Sequence, residues 1–421
     1  MFPGSVIRRL ARSEEVFAVN ETYFAFTAHL EGAVDVDAMS AAFDTLLRCY
    51  PVFTGHLEKA DDGRHQIVVD EFLHPGLWVV DDDADRTATP KPAGAQLDQT
   101  QSLMHLRWKG NGTGGALTLY THHSLADAHH AFGLLEELFT LYTKVVETGD
   151  PGPVVPQAAP EPLEVLLEQR GIKKQVRSGL ERLYPATFAY DLPVAEAPPM
   201  PPNPDAVAPI PVARIRFTEQ ETSDLVEFGR ANQLSLNSVV AAAILLTEWE
   251  LRGTPHIPIP YIYPVDLRYI LSPPASLTGS TLPLGVAIYL AEIGPETELV
   301  DVAHGIADAF RADLSDGVIQ QSTLHFNLQY DGTPPGLPQF VLCTDTGTIP
   351  GLGTPPGLEV SDFHSELHFP TRTPVDLYSC GTFAGLLFIE HHAHLPGREK
   401  PLKAIHSLLC SLPAGDSWDM E

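Results

Sequence analysis

Residues 192–212 read LPVAEAPPMPPNPDAVAPIPV, and this run constrains the fold more than any other stretch of the chain. Proline fixes φ and has no amide hydrogen, so closely repeated prolines exclude helix and favour an extended, semi-rigid connector. The 421 residues also exceed what a single hydrophobic core normally serves. Together these facts give a first half over residues 1–191, a linker over 192–212 and a second half over 213–421. A second irregular stretch, DGTPPGLPQF (331–340) continuing to TPPGLEV (354–360), falls inside the second half. Long irregular segments within a domain serve as crossings or lids.

Both halves mix strands with helices. In VDVDAMSAAFDTLLRCYPVF, Asp37 is the expected N-cap; Met39, Phe43, Leu46 and Leu47 share one helical face, and Pro51 ends the helix. ALTLY (116–120) reads as a strand. Phe132, Leu135, Leu138, Tyr142 and Val145 then recur at helical spacing. TEQE (218–221) is a capping box between Thr218 and Glu221, and LSLNSVVAAAILLTEWEL starts a helix capped by Ser235 or Asn237. GLLFIE (385–390) reads as another strand. The fold class expected is α/β with mixed sheets.

The charge balance narrows the partners. Lys+Arg 26 against Asp+Glu 54 leaves a formal charge of −28, a surface that repels nucleic acid and anionic lipid. Cys49, Cys343, Cys380 and Cys410 are scattered, which fits a reducing cytoplasm with neither disulfides nor a cysteine metal site. The start MFPGSVIRRL runs into ARSEEVF rather than an apolar core, so no signal peptide is expected. The longest apolar run, SVVAAAILL (238–246), falls short of the ~20 residues a transmembrane helix needs. The expectation is a soluble protein without a transmembrane segment.

THHSLADAHH (121–130) packs four histidines and Asp127 into a strand-to-helix turn. A metal cage fits poorly, because His122 and His123 point to opposite faces of a strand and His129 and His130 diverge on the helix. Proton transfer fits better: an imidazole at a strand end projects into a cleft and titrates near neutrality. Asp127, at the helix start, would hold the turn by capping or ion pairing. In the third reading Asp127 merely caps the helix and the histidines are solvated. Two further features suggest chemistry. Glu390, His392 and His394 of EHHAH share a strand face, as metal ligands or as a polar strand end. Cys380 is a nucleophile candidate, although a buried cysteine is usually a small hydrophobe.

HHSLADA resembles the HHxxxDG signature of the acyltransferases that include chloramphenicol acetyltransferase, nonribosomal peptide condensation domains and polyketide-associated acyltransferases. SLNSVVAAAIL and YPVDLR (263–268) resemble the helix and strand that follow in that group. MFPGSVIR, EEVFA, TGDPGP, PYIYPVDLR, GVIQQS, TPPGLP, DLYSC and SLLC extend the resemblance to the polyketide-associated members over essentially the whole chain.

The resemblance implies two chloramphenicol-acetyltransferase-like halves with a channel between them. It implies His123 as the proton acceptor and Asp127 as structural support, often paired with an arginine. Long-chain β-diols would be esterified with methyl-branched mycocerosic acyl groups carried as thioesters. No metal and no cofactor would be needed. The implied partner is the acyl carrier domain of a mycocerosic-acid-type polyketide synthase, with coenzyme A thioesters as substitutes. The protein would be a cytoplasmic monomer that reaches the inner membrane face through its synthase. Thr344 and Ser379 are candidate oxyanion donors.

Carrier domains are acidic, so docking calls for local positive charge. Arg170, Lys173, Lys174, Arg177 and Arg182 form the densest such stretch. Arg311 is a second docking candidate, or a partner for an active-site carboxylate. The motif's glycine is Ala128 here. Alanine is favourable if the position is the first helical residue, and strained if it requires positive φ. A lipid-binding protein without catalysis and a metal hydrolase are the competing readings.

Overall fold

The computed structural model describes residues 4–70, 75–81, 97–193, 202–325, 333–394 and 397–413. The middle of the expected linker, 194–201, and the start of DGTPPGLPQF lie outside the described residues. The first strands are β1 (Ser5–Arg9), β2 (Tyr23–Glu31), β3 (His56–Lys59), β4 (His65–Val69), β5 (Leu77–Asp81), β6 (Met104–Asn111) and β7 (Gly114–His122). Later come β8 (Val207–Pro209), β9 (Val212–Arg216), β10 (Ile259–Asp266), β11 (Leu284–Ala291), β12 (Val341–Thr348), β13 (Glu359–Pro370), β14 (Asp376–Phe383) and β15 (Leu386–Ala393). The helices are α1 (Arg12–Val19), α2 (Val36–Cys49), α3 (Ala128–Thr148), α4 (Leu163–Gln169), α5 (Glu219–Ala231), α6 (Leu236–Arg252), α7 (Leu299–Ser315), α8 (Val318–Gln321) and α9 (Glu399–Cys410).

Two six-stranded sheets dominate, in the orders β5-β6-β7-β2-β13-β8 and β11-β10-β12-β14-β15-β9, beside a small sheet β1-β4-β3. The expected mixed α/β architecture is the one found. On the first sheet, Phe24, Phe26, Leu117 and Leu119 pack with Met39, Phe43, Leu46 and Leu47 of α2 and Phe132, Leu135 and Leu138 of α3. Each such side chain, fully buried, contributes about 1.5–3 kcal/mol. The second core joins Val239 to Leu245 of α6 to Ile259, Cys343 and Ile389 of the sheet and Leu402 and Ile405 of α9. Among the described residues no single helix is long and apolar enough to cross a membrane.

The capping signals were mostly sound. Thr218 and Glu221 form the capping box of α5, and Ser235, not Asn237, caps α6 by accepting from the Ser238 amide. The cap of α2 is Asp35, which accepts from Ala38 N, rather than Asp37. Asp37 lies in the first turn, where a carboxylate still favours the positive end of the helix dipole.

The second proline-rich stretch leads into a crossing. β13 leaves the second half and pairs antiparallel with β2, from Glu359↔Glu31 to His368↔Tyr23, while β8 adds on its far side through His368↔Pro209. The sheet of residues 1–191 is thus completed by a strand from the later chain and one from the linker. The crossing needs a close backbone approach: a Cβ on Gly32, at φ +116°, would sit 2.1 Å from the Gly357 carbonyl oxygen.

Candidate active site

The histidine cluster sits where β7 ends and the chain turns into α3. His122 is the last residue of the strand and is fully buried, edge-on to Tyr23. Its Nδ1 accepts from the Ser124 amide at 3.3 Å and lies 2.7 Å from the Ser124 hydroxyl. Burial, followed by the neighbouring His123, pushes its pKa down to about 3, so the ring is neutral and structural.

His123 faces the other way and is half-buried. Its amide donates to Thr22 O at 2.9 Å, which holds the backbone against the end of β2. The ring stacks on Phe17 (centroids 4.2 Å, interplanar 19°) and meets Phe24 edge-on at 5.0 Å. Nδ1 lies 3.1 Å from the Ala126 carbonyl oxygen. A carbonyl only accepts, so Nδ1 carries the proton and Nε2 keeps its lone pair. None of the described residues hydrogen-bonds to Nε2. Burial lowers the pKa of this imidazole against the opposing pull of the Ala126 carbonyl and the Asp127 charge, which favours the neutral ring near pH 7.

Asp127 does not touch the His123 side chain. One oxygen caps α3 by accepting from His130 N at 2.9 Å. Both oxygens accept from Arg268, at 2.8 Å from Nη1 and 2.8 Å from Nη2. Arg268, just past β10, is 0% exposed, and its remaining donors reach Leu277 O (3.2 Å) and Asp266 Oδ1 (3.2 Å). Desolvation would lower the arginine pKa, but Asp127 and then Asp266 outweigh it and the net shift is upward. This forked, charge-assisted pair ties the turn after β7 to the turn after β10, one from each half. His129 Nδ1 adds a second link, 2.8 Å from Asp266 Oδ2. The turn that carries His123 is thus fastened to the later part of the chain through Asp127 and His129, while the His123 ring itself packs on Phe17 and Phe24.

The other marked residues divide. Arg311 is exposed on α7 and pairs with Asp308 one turn away, so it does not reach Asp127; Arg268 holds that place. The sequence marks Arg268 only by its position in YPVDLR, just past a strand end. Ser379 is paired across the sheet with Thr344, but its hydroxyl donates to Glu390 at 3.1 Å inside a buried network. His392 lies 3.3 Å from the same Glu390 oxygen, Ser365 of β13 donates to it at 2.5 Å, and Arg214 Nε is 3.5 Å from the other oxygen. Burial alone would raise the Glu390 pKa; His392, Arg214 and Ser365 reverse the shift and keep it ionised.

EHHAH therefore helps to fasten the crossing strand to the second sheet, and its His394 is exposed at the strand end. Cys380 is buried, and its neighbour Cys343, together with burial, drives its thiol pKa well up, which suits packing rather than attack. Among the described residues the imidazoles of 122–130 do not converge on a common point. His130 is buried against Phe53, with burial pushing its pKa down to about 4. Within the basic stretch, Arg177 and Arg182 pair with Asp313 of α7, at 3.1 Å and 2.8 Å, while Lys173 and Lys174 are exposed. Ala128 is the first residue of α3, where alanine is favourable.

Comparison with known proteins follows the same lines. Residues 206–392 match the family model described as phthiocerol/phthiodiolone dimycocerosyl transferase C-terminus. The chain is 51% identical over 422 residues to the phthiocerol/phthiodiolone dimycocerosyl transferase of Mycobacterium tuberculosis (strain ATCC 25618 / H37Rv), covering 100% of both. Its structure matches that of polyketide synthase associated protein 5 from Mycobacterium tuberculosis with a TM-score of 0.90 and 50% identity, over 98% of this chain and 99% of that one. A trichothecene 15-O-acetyltransferase from Fusarium sporotrichioides matches with a TM-score of 0.69 at 12% identity, over 96% and 94% of the two chains, a likeness of fold alone. The expected architecture of two acetyltransferase-like halves is the one these neighbours share. By identity across its full length, the chain belongs to the phthiocerol/phthiodiolone dimycocerosyl transferase family.

Proposed function

We propose that the protein is an O-acyltransferase that esterifies the hydroxyls of phthiocerol- or phthiodiolone-type diols with mycocerosic acyl groups delivered as thioesters. The observation that carries this reading is His123, with Nδ1 committed to the Ala126 carbonyl and Nε2 left with its lone pair as a base. Nε2 takes the proton of a substrate hydroxyl as its oxygen attacks the thioester carbonyl. The tetrahedral intermediate collapses, the carbon–sulfur bond breaks, and the imidazolium returns the proton to the departing thiolate. No acyl-enzyme forms, since the acyl group arrives activated. A positioned base of this kind supplies about 10²–10⁴-fold in rate.

Asp127 acts through the backbone, holding the turn through its cap and through Arg268. The later part of the chain supplies both Arg268 and β13, so residues 1–191 and 213–421 work as one catalytic unit across the 192–212 linker. The donor would sit on the acyl carrier domain of a polyketide synthase, in keeping with the name of the 50% identical structure. Arg311, exposed on α7, fits docking of that acidic partner better than a role at the active site. The protein would work in the cytoplasm, at the inner membrane face where its synthase delivers lipid.

The test is incubation with a long-chain acyl thioester, a long-chain diol and a thiol-detecting reagent. Thiol release that depends on the diol, with ester recovered, supports the transferase. A lipid-binding protein without catalysis releases no thiol, and a metal hydrolase would lose activity to a chelator. Ala128, which departs from the motif's glycine, lies in ordinary helix, where alanine is favourable.

A further inference from the structure

Two helices of the second half, α5 and α9, bring three ligand-type side chains together. Glu221 lies in the first turn of α5, and His406 and Cys410 lie one turn apart on the same face of α9. Cys410 Sγ is 3.3 Å from Glu221 Oε1, His406 Nε2 is 3.6 Å from the same oxygen, and Sγ is 3.7 Å from each of the two ring nitrogens of His406. A tetrahedral ion with bonds of about 2.0–2.3 Å spaces its ligands by about 3.3–3.8 Å. The three separations fall in that range before any ion is added.

The surroundings orient the ligands. The Thr218 amide and hydroxyl donate to Glu221 Oε2 at 2.7 and 2.9 Å, so the capping box turns Oε1 toward the sulfur and the imidazole. The His406 ring lies against Phe217, centroids 4.9 Å apart. Cys410 is exposed and His406 partly so, which leaves a fourth position to water.

We propose that Glu221, His406 and Cys410 form a binding site for a thiophilic divalent cation, Zn²⁺ foremost, which clamps the start of α5 to the end of α9. Thiolate, imidazole and carboxylate together suit zinc and exclude magnesium and calcium, which take oxygen ligands. As the sulfur–metal bond forms, the thiol gives its proton to solvent. The scattered cysteines carry no paired-cysteine signature of a metal site, and Glu221 lies 189 residues from Cys410.

The test uses the purified full-length protein, stripped with chelator and kept reduced with a phosphine, and titrated with Co²⁺. Cys410 is the exposed cysteine, the other three being buried, so a thiolate-to-cobalt charge-transfer band reports this site. One equivalent should give that band with the visible spectrum of a four-coordinate ion, and one equivalent of Zn²⁺ should abolish it. Cys410→Ser should remove the band, and His406→Ala and Glu221→Gln should weaken binding at least about tenfold. Wild-type protein without the band, or a band unchanged in Cys410→Ser or His406→Ala, overturns the proposal. Thiol release in the esterification assay should be the same with and without the ion, which separates this test from that of the transferase.

Discussion

Arg268 grips both carboxylate oxygens of Asp127 at 2.8 Å across 141 residues of chain, with neither side chain open to solvent. Removing one partner of a buried pair strands the other charge, at a cost of about 3–5 kcal/mol. Arg268→Ala and Asp127→Ala should each lower the unfolding free energy by that amount in denaturant titration. Asp127→Ala should lose about 1 kcal/mol more with the α3 cap. The double variant should fall well short of the sum. Additive losses would mean that the pair does not act as a unit.

His123 should carry the reaction while contributing little to the fold. His123→Ala is expected to reduce ester formation by at least about 10²-fold while leaving the circular dichroism spectrum intact. Full activity in that variant removes the imidazole from the mechanism.

The same imidazole sets the acid side of the pH profile. Burial lowers its pKa from the ordinary value of 6.5, so the neutral base persists below that pH. The acid limb of kcat/KM should therefore fall with an apparent pKa under 6.5, and an acid limb above 7 contradicts the geometry around His123.

His129 gives a stability signature of the opposite sign. Its hydrogen bond to Asp266 raises the folded-state pKa above the unfolded 6.5. The contribution is therefore complete below pH 6.5 and is lost as pH rises through the folded value. At the acid end it fades as Asp266, itself lowered from 3.8, takes up a proton. His129→Ala should lower the melting temperature more at pH 6 than at pH 9, with a loss under about 1 kcal/mol because the pair is partly exposed. An equal loss at both values would show that the pair carries no charge.

Ala128→Gly restores the residue usual in the motif, yet here it should destabilise. At the start of a helix, glycine gives up more backbone freedom than alanine, a loss of up to about 1 kcal/mol with no change in kcat. A more stable or faster Ala128→Gly enzyme would show that the turn prefers glycine.

Much of this site was legible in the sequence, because local patterns decided it. The strand-to-helix turn at 122–128, the periodicity of α3 and the capping boxes depend on neighbours within a few residues. Arg268 was not legible as the partner of Asp127, because nothing local distinguishes it from Arg311; tertiary packing buries the one and leaves the other on an outer helix. Asp35 rather than the expected Asp37 caps α2 because it is the carboxylate three residues before the Ala38 amide, a local offset that the apolar periodicity does not resolve. β13 was hidden for another reason. The alternating pattern of EVSDFHSELHFP fits any half-buried strand, and alternation does not say which sheet a strand will join.

That crossing has a consequence for synthesis. A nascent chain that has emerged as far as the proline run still presents one edge of β2, Tyr23 to Glu31, with its amides and carbonyls unmatched. The edge closes only after Pro370 has left the ribosome. The amino-terminal portion therefore cannot be excised as an independent module. A truncated product ending before β13 would offer an adhesive ribbon to any other chain nearby.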